Sequence, residues 1–348
     1  MTTLGAPALQ LLQIVLARST RDAAAFIQAQ LDAGQALATL VTEVLAPVQV
    51  EVGERWQRNA LSTADEHAAT AVVDNALATL ALTGSAGQFV DRGSMAVVCA
   101  EGDWHTLPAR MAAELWRWDG WDVIFLGGSL PPGDLGTWLS AARPDVLAVT
   151  CSVPLFIPGT LRVGETSAAA GVPCVVGGRG LGPDARRADA LGLRWAASPA
   201  GLEAALDAPP PAGRAAELTD RRSESQDLES SIEDVVDAAI GVLTDRLPAI
   251  RDYTPRQMSH TEKDYAYIVR FLCAAVLCDD PRLFSEFLDW QQTVLTSRGL
   301  PPSVLPTSMA ALADVIPENY RRAYALCRTA AGSQAPALVG AHPRTSTR

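Results

Sequence analysis

The spacing of apolar residues changes twice along the chain. Up to about residue 90, apolar side chains recur every three or four positions, which predicts amphipathic helices. From Ser94 they fall in short runs that end in glycine or polar turns, a pattern typical of buried strands. Beyond a polar, proline-containing stretch the helical spacing returns. These changes predict a helical bundle over 1–91, an α/β domain over 92–206, a linker over 207–228, an all-α domain over 229–331 and a tail, with His342, over 332–348.

Turn residues divide the first segment into four or five helices. Ser19 and Thr20, with Asp22, predict the start of a second helix, and Gly34 separates it from a third. Pro47 leads into VQVEVGERW, and Ser62-Thr63 opens a helix through HAATAVVDNALATLAL. Helices of this number and length predict a bundle.

Five apolar runs predict the strands of the middle segment: MAVVCA, DVIFLG, DVLAVT, PCVVGG and the weaker LRWAA. The stretches between the first four have helical spacing, so strands and helices alternate. Such alternation predicts a parallel, Rossmann-like sheet that binds ligands outside the carboxyl ends of its strands.

Composition and charge narrow the functional classes. The 348 residues are 48% hydrophobic and 19% charged, enough for two or three globular domains. A net charge of -11 without a basic face argues against direct nucleic-acid binding. No apolar run approaches the roughly 20 residues of a bilayer span, and MTTLGAPALQ lacks a signal-peptide pattern, so we expect a cytoplasmic protein without membrane contact. Six cysteines without CxxC spacing favour free thiols in a reducing compartment.

One of only four histidines, His105, lies in GDWHTLPARM, directly after the first predicted strand. This places it on the ligand-binding rim of the sheet. Because neither GxGxxG nor a P-loop follows that strand, a nucleotide pyrophosphate is excluded there. Asp103, two residues earlier, fits the carboxylate partner of a metal-ligating histidine. A single histidine holds a bare ion weakly, so we expect the metal to arrive inside a cofactor.

The stretch DWHTLP resembles the D-x-H-x-x-G loop of cobalamin-binding domains, although Pro108 stands where the family has glycine. The resemblance implies that His105 is the lower axial ligand of cobalt, with Asp103 behind it. It also implies that other residues of this loop contact the cofactor, and that residues after the third and fourth strands line a slot for its nucleotide tail. The loop residues are Trp104, Thr106 and Leu107, and the slot residues are Thr150, Ser152, Val153, Gly177 and Gly178.

In the helical segment, Trp56 and Glu66-His67 form the pattern W-x9-EH. It resembles the signature of B12-dependent light-sensing repressors, which implies that Trp56, Thr63, Glu66 and His67 surround a 5'-deoxyadenosyl group. Thr63-x-x-Glu66 also fits a capping box, which would give Glu66 a purely structural role. In those repressors the residue after the Trp is a histidine, which binds cobalt once light has expelled the adenosyl group. This chain has Gln57 at that position, and His67 is an alternative ligand. The repressors' DNA-binding domain is not expected in this chain.

The last helical segment predicts about five helices with a globin-like packing. Its stretch TPRQMSHTEKDYAYIVRFLCAAVLC gathers groups suited to a linear tetrapyrrole: arginines for propionates, aromatic rings for stacking and a histidine for ring nitrogens or carbonyls. An ordinary amphipathic helix is the alternative, and Cys273 and Cys278 fit either covalent attachment or buried free thiols. The candidates are Arg251, Tyr253, Arg256, His260, Tyr265 and Tyr267.

This order of domains resembles the photocobilins, which hold cobalamin and a linear bilin in adjacent domains. The resemblance implies a non-enzymatic adenosylcobalamin photoreceptor that also binds biliverdin and signals to an unidentified protein through a shift of the bundle. Two alternatives remain: the corrinoid carrier of a methyltransferase, and a non-photochemical B12 sensor or store. A homodimer is compatible with all three.

Overall fold

The structure, a computed structural model, describes residues 4–83, 92–209, 211 and 215–333. None of the helices in these residues is both long and apolar enough to cross a membrane.

The chain divides into two compact units. The first unit comprises Met1–Ser225 together with Cys273–Leu283, and the second comprises Gln226–Leu272 together with Phe284–Arg348.

The first unit begins with the predicted helical bundle. Ser19 caps the second helix by accepting a hydrogen bond from the Asp22 N–H at 3.3 Å, and Gly34 adopts a φ of +80°. The bundle core is built from side chains at helical spacing, such as Leu11, Ile27 and Leu77, all fully buried. Its elements are α1 (Ala6–Leu16), α2 (Thr20–Asp32), α3 (Leu37–Thr39), a π-helical turn (Leu40–Leu45), α4 (Ala46–Gln57) and α5 (Thr63–Thr83).

Pro47 is the second residue of α4, and α4 continues the π-helical turn without a break, so residues 37–57 form one helical run. A proline inside a helix removes an N–H donor and crowds the turn before it. Here the wider π turn, Leu40–Leu45, lies directly before this position, and the Ala46 N–H bonds to the carbonyl of Val41, five residues back. The run therefore passes the proline without ending.

The α/β part of the first unit is the predicted parallel sheet, with strand order β2-β1-β3-β4-β5. All five predicted strands are confirmed, whereas two helices of five and six residues, α9 and α10, were missed because they are too short to show a period. The elements are β1 (Ser94–Cys99), α6 (Thr106–Trp118), β2 (Asp122–Gly127), α7 (Pro132–Ala142), β3 (Val146–Thr150), α8 (Ile157–Ala169), β4 (Cys174–Gly177), α9 (Arg186–Ala190), β5 (Arg194–Trp195) and α10 (Leu202–Asp207).

The chain changes direction across the sheet between β1 and β3. It runs from β1 outward to β2 and then returns to β3 on the other side of β1. At their carboxyl ends, Cys99 is paired with Thr150, and the Ala100 N–H donates to the Thr150 carbonyl at 2.8 Å. The loops after β1 and β3 therefore meet at the position where such sheets bind ligands.

The linker predicted over 207–228 is wrong for most of its length, because helix α11 spans Ala215–Ser230. The linker was predicted from the polar composition of this stretch, but several of its polar side chains are buried and form hydrogen bonds. Arg221 donates to the Ala190 carbonyl at 2.8 Å, and Ser225 donates to the Cys273 carbonyl at 3.1 Å. Residues 210 and 212–214 lie outside the described residues.

The remaining helices confirm an all-α C-terminal segment, while its globin-like packing stays a prediction. Tyr265 is almost fully buried and donates to the Ser308 carbonyl at 3.1 Å, so its hydroxyl ties two helices together. Of the predicted tail, 334–348 with His342 lies outside the described residues. The helices are α12 (Ile232–Arg246), α13 (Pro255–Cys278), α14 (Pro281–Ser297), α15 (Val304–Val315) and α16 (Arg321–Ser333).

Candidate functional site

The loop after β1 holds the His105 imidazole through a buried carboxylate. Asp103 Oδ1 lies 2.8 Å from His105 Nδ1 and accepts the His105 backbone N–H at 2.9 Å, while Oδ2 accepts the Ser152 N–H at 2.8 Å. Asp103 is 0% exposed, whereas the His105 side chain is 58% exposed. Because the bond to the carboxylate occupies Nδ1, Nε2 is the nitrogen left to bind a ligand.

Two acidic groups act on this imidazole. The hydrogen bond to Asp103 raises the pKa of His105, burial opposes this, and the charges of Asp103 and Glu66 raise it further. Glu66 belongs to α5 of the bundle. The bundle therefore brings a carboxylate close enough to influence the ring on the rim of the sheet.

The rest of this loop packs closely against Gly128. A Cβ on Gly128 would lie 3.1 Å from the Asp103 carbonyl and 3.2 Å from the Trp104 ring. Trp104 itself is 72% exposed. Thr106 begins α6, while Leu107 is buried in the bundle's hydrophobic cluster, so its predicted contact with a cofactor competes with a packing role.

Pro108 causes no disturbance where the family has glycine. Helix α6 starts at Thr106, so Pro108 is the third residue of its first turn. The N–H groups of a first turn have no partner within the helix, and proline is tolerated there. The departure from D-x-H-x-x-G thus leaves the path of the loop intact.

A cavity of about 290 Å³ opens between the ends of β3 and β4, helix α6 and the bundle. Four of the residues expected to line a slot for a nucleotide tail, Thr150, Ser152, Gly177 and Gly178, line this cavity, whose use for that tail stays a prediction. A Cβ on Gly178, whose φ is +103°, would lie 2.5 Å from the Cys151 carbonyl, so no side chain fits there. Val153 is not among the lining residues; its carbonyl accepts the Cys151 thiol at 3.4 Å.

The chemistry of this cavity suits a flat aromatic base with a polar edge. Ala148, Val175 and Trp116 form apolar walls. The buried Thr150 hydroxyl has no hydrogen-bond partner of ordinary geometry in the part of the chain that the structure describes. Its neighbour is the Cys99 thiol, a weak donor whose pKa burial raises to about 11. The Thr150 hydroxyl is thus available to a polar atom of a ligand.

Several residues that line the cavity were not predicted. Three come from the bundle, where the π turn interrupts the 3.6-residue period that sequence patterns rely on. Arg179 was also missed, although it directly follows Gly177-Gly178. The additional lining residues include Val41, Thr42, Ala46, Arg179 and Ser198.

The start of α5 argues against the capping role considered for Glu66, while its predicted contact with an adenosyl group stays a prediction. Ser62 and Asp65 cap the helix: the Asp65 N–H donates to the Ser62 hydroxyl at 3.1 Å, and the Ser62 N–H donates to Asp65 at 3.3 Å. The cap therefore lies one residue earlier than Thr63-x-x-Glu66. The Glu66 carboxylate instead accepts from Thr70 at 2.8 Å and lies 2.5 Å from His67 Nδ1. Trp56 donates its indole N–H to Thr63 at 3.2 Å.

In the second unit, the predicted tetrapyrrole ligands spread along one stretch of chain. Arg251 lies in a short 3₁₀ segment and pairs with Asp245 at 3.3 Å, and Tyr253 follows it half-buried. Arg256, His260 and Tyr267 are exposed on α13.

Sequence reasoning missed Asp264, which lies on the same face of α13 as His260 and Tyr267. Burial raises the pKa of its carboxyl, opposed by the charges of His260 and Arg298 and by a hydrogen bond with Gln291. One turn on, Phe271 stacks on Phe287 with ring centroids 3.8 Å apart. This face of α13 therefore combines a desolvated carboxylate with stacked rings. In the sequence, the position of Asp264 four residues after His260 was the signal that both lie on one face of the helix.

Comparison with known families matches two segments of the first unit. Residues 8–81 match one family model described as "B12 binding domain", and residues 93–207 match a second with the same description. Both segments are B12-binding domains. Cobalamin as the ligand predicted from the D-x-H loop is thereby confirmed.

Individual relatives of these B12-binding domains fall into two groups. The HTH-type transcriptional repressor CarH of Myxococcus xanthus is 34% identical over 108 residues, which span 31% of this chain and 35% of the repressor. The match thus spans about a third of the repressor's length. The monomethylamine corrinoid protein of Methanosarcina barkeri is 16% identical, with a TM-score of 0.50, over 57% of this chain and 96% of that chain. This second likeness shows a shared fold.

Proposed function

We propose that the protein is an adenosylcobalamin-dependent photoreceptor that also binds biliverdin and signals to a partner protein. The observation that carries the proposal is the His105 imidazole, fixed by Asp103 with Nε2 free, on a rim influenced by Glu66 of the bundle. Bound adenosylcobalamin supplies a cobalt–carbon bond that light cleaves. The residues around it hold both faces of the cofactor.

On the lower side, His105 offers Nε2 to cobalt, and Asp103 fixes the orientation and basicity of the ring. The cavity beside it takes the nucleotide tail: Gly177 and Gly178 leave room, and the Thr150 hydroxyl is available to a polar atom. These groups are anchored to strand ends, so the lower side is organised before the ligand binds.

On the upper side, Trp56 and Glu66 contact the adenosyl group. A flat indole held by Thr63 covers the group, and the Glu66 carboxylate accepts hydrogen bonds from its hydroxyls or base. These contacts exist only while the group is in place. Loss of the group in the light would remove these contacts, so the bundle would shift and offer a different surface to a partner. Comparing Gln57→Ala and His67→Ala spectra after illumination identifies the residue that takes the upper position.

For biliverdin, the Asp264 face of α13 supports the proposal. A buried carboxylate accepts pyrrole N–H groups, Arg251 and Arg256 pair with propionates, and Tyr267 stacks. Cys278 is buried, with a pKa raised to about 12, which favours non-covalent binding. Asp264→Asn should weaken biliverdin binding and stabilise the pigment-free protein above the ordinary pKa of aspartate, because ionised Asp264 is unfavourable there.

The decisive experiment mixes the protein with adenosylcobalamin and biliverdin in the dark, followed by gel filtration and spectra before and after illumination. A co-eluting corrinoid band that changes with light and a far-red bilin band are expected. A corrinoid band that is identical in the dark and after light would contradict the photoreceptor and favour a non-photochemical B12 sensor.

The fold shared with a corrinoid protein keeps one enzymatic alternative, the corrinoid carrier of a methyltransferase. Such a carrier does not need Trp56 and Glu66 to contact an adenosyl group. Equal affinity for methylcobalamin and adenosylcobalamin, together with methyl exchange with a partner protein, would favour this alternative.

A further inference from the structure

Arg179 is the one charged residue among the described residues that line the cavity. It is exposed and forms no ion pair or hydrogen bond through its side chain with any residue that the structure describes. The two other arginines between β4 and β5, Arg186 and Arg187, pair with Asp184 at 3.0 Å and Asp280 at 2.8 Å. Arg179 therefore has an available guanidinium at the cavity.

The backbone around Arg179 is fixed against β3. The Gly180 N–H donates to the Cys151 carbonyl at 2.9 Å, and a Cβ on Gly180 would lie 2.7 Å from the Cys151 sulfur. Gly178, on the other side, adopts a φ of +103° that favours glycine. The close contacts of Gly178 and Gly180 thus fix the backbone of Arg179 at the cavity, while its side chain can change conformation.

The remaining polar groups that line the cavity are neutral hydroxyls: those of Thr150, Ser152 and Ser198 are the principal ones. Hydroxyls suit the edge of an aromatic base, whereas a guanidinium suits a phosphate, with which it forms charge-assisted hydrogen bonds. The nucleotide tail of cobalamin carries both groups, and its phosphodiester is the one negative group on that tail.

We propose that Arg179 binds the phosphodiester of the cobalamin tail and selects complete cobalamin over corrinoids without a nucleotide. The proposal rests on the proposed cobalamin function and adds to it a specificity-determining residue. Because the ion pair between Arg179 and the phosphodiester lies at an exposed edge, we expect it to raise the affinity for cobalamin only moderately, roughly tenfold, and in a salt-dependent way.

Dark titrations of the full chain with three probes test this role. Adenosylcobalamin carries the phosphodiester and the base, adenosylcobinamide phosphate carries phosphate without the base, and adenosylcobinamide carries neither. Arg179→Gln should weaken binding of the first two roughly tenfold, leave the third unchanged and flatten the salt dependence of cobalamin binding. Arg179→Lys, which keeps the charge, should retain part of the affinity.

Arg143→Gln is the matched control, since Arg143 is exposed at the end of α7 and does not line the cavity. Circular dichroism and thermal unfolding establish that each variant is folded. Unchanged cobalamin binding by Arg179→Gln, or an equal loss for all three probes, would overturn the proposal. A wild-type protein that binds none of the probes overturns the cobalamin function itself, a failure visible before any substitution.

Discussion

Two carboxylate–imidazole pairs are proposed to hold the cofactor, and they differ in how firmly they are held. Asp103 lies 2.8 Å from His105 Nδ1, and Glu66 lies 2.5 Å from His67 Nδ1. Asp103 is fully buried and accepts two backbone N–H groups besides the ring. The Glu66 side chain is 22% exposed, accepts from Thr70 on its own helix, and holds a ring that is 75% exposed.

The difference follows from where each pair lies. Asp103 and its donors lie on loops at the ends of β1 and β3, whose backbones are joined by hydrogen bonds. Glu66 and His67 lie on the surface of α5, where water competes for every contact. Under the proposed function, the lower pair would hold a ligand that stays constant, while the upper pair would change partners when its ligand changes.

Removing the lower imidazole should have the largest effect. His105→Ala deletes the proposed cobalt ligand, so we expect an affinity loss of more than about 100-fold and disappearance of the spectrum of cobalamin bound through a protein histidine. His260→Ala, in the second unit, is the matched control and should leave the corrinoid spectrum unchanged. An unaltered spectrum for His105→Ala would exclude this residue as the ligand.

Weakening the lower carboxylate comes next. Asp103→Asn keeps the size of the side chain but removes the charge that orients the ring, so cobalamin affinity should fall roughly 10- to 100-fold. Titration by visible spectroscopy in the dark measures this. If Asp103→Asn cost no more than Glu66→Gln, the inferred difference between the two pairs would be wrong.

Changing the upper carboxylate should alter selectivity more than overall affinity. Glu66→Gln reduces the acceptor strength offered to the adenosyl group, so the preference for adenosylcobalamin over methylcobalamin should fall about fivefold. Parallel titrations with both cobalamins measure the ratio. Glu54→Gln, which removes a bundle carboxylate paired with Arg58, is the control. An equal loss for both cobalamins would argue against a contact with the adenosyl group.

The smallest effect is expected at the cap that starts α5. Hydrogen bonds from Ser62 lower the pKa of Asp65, and Arg18 lowers it further. Its stabilisation is therefore complete above the ordinary carboxyl pKa and is lost as pH falls through the lowered value. Asp65→Asn should reduce the melting temperature slightly at neutral pH, and the difference from wild type should shrink towards about pH 3. A difference that grows in acid would contradict this role.

The two pairs also differ in how far the sequence could define them. His105 was predictable because an apolar run marks β1, and the residue after a strand lies on the rim whatever the surrounding packing. Whether Glu66 caps the helix was not predictable, because Ser62-x-x-Asp65 and Thr63-x-x-Glu66 overlap in the sequence and both fit a helix cap. Only the backbone geometry at Ser62 selects between them.

Elsewhere the prediction failed where local composition and tertiary context disagree. The polar stretch that includes Arg221 and Ser225 indicated a linker, yet it is helical, and these two side chains donate to backbone carbonyls elsewhere in the first unit. The spacing from His260 placed Asp264 on the same helical face, but it could not indicate that the carboxylate is desolvated, since that depends on which neighbouring helices cover it. The missed bundle contacts to the cavity have a different cause.

That cause is the π turn over Leu40–Leu45. In an α-helix with 3.6 residues per turn, residues five apart point in different directions, whereas the bond from Ala46 back to Val41 brings this pair onto one side, and both line the cavity. A π turn closes its hydrogen bond one residue later than an α-helical turn. Deleting one residue from this turn should therefore restore the α-helical period and move Val41 and Ala46 to different sides of the helix, so that one local hydrogen bond controls the shape of the cavity wall.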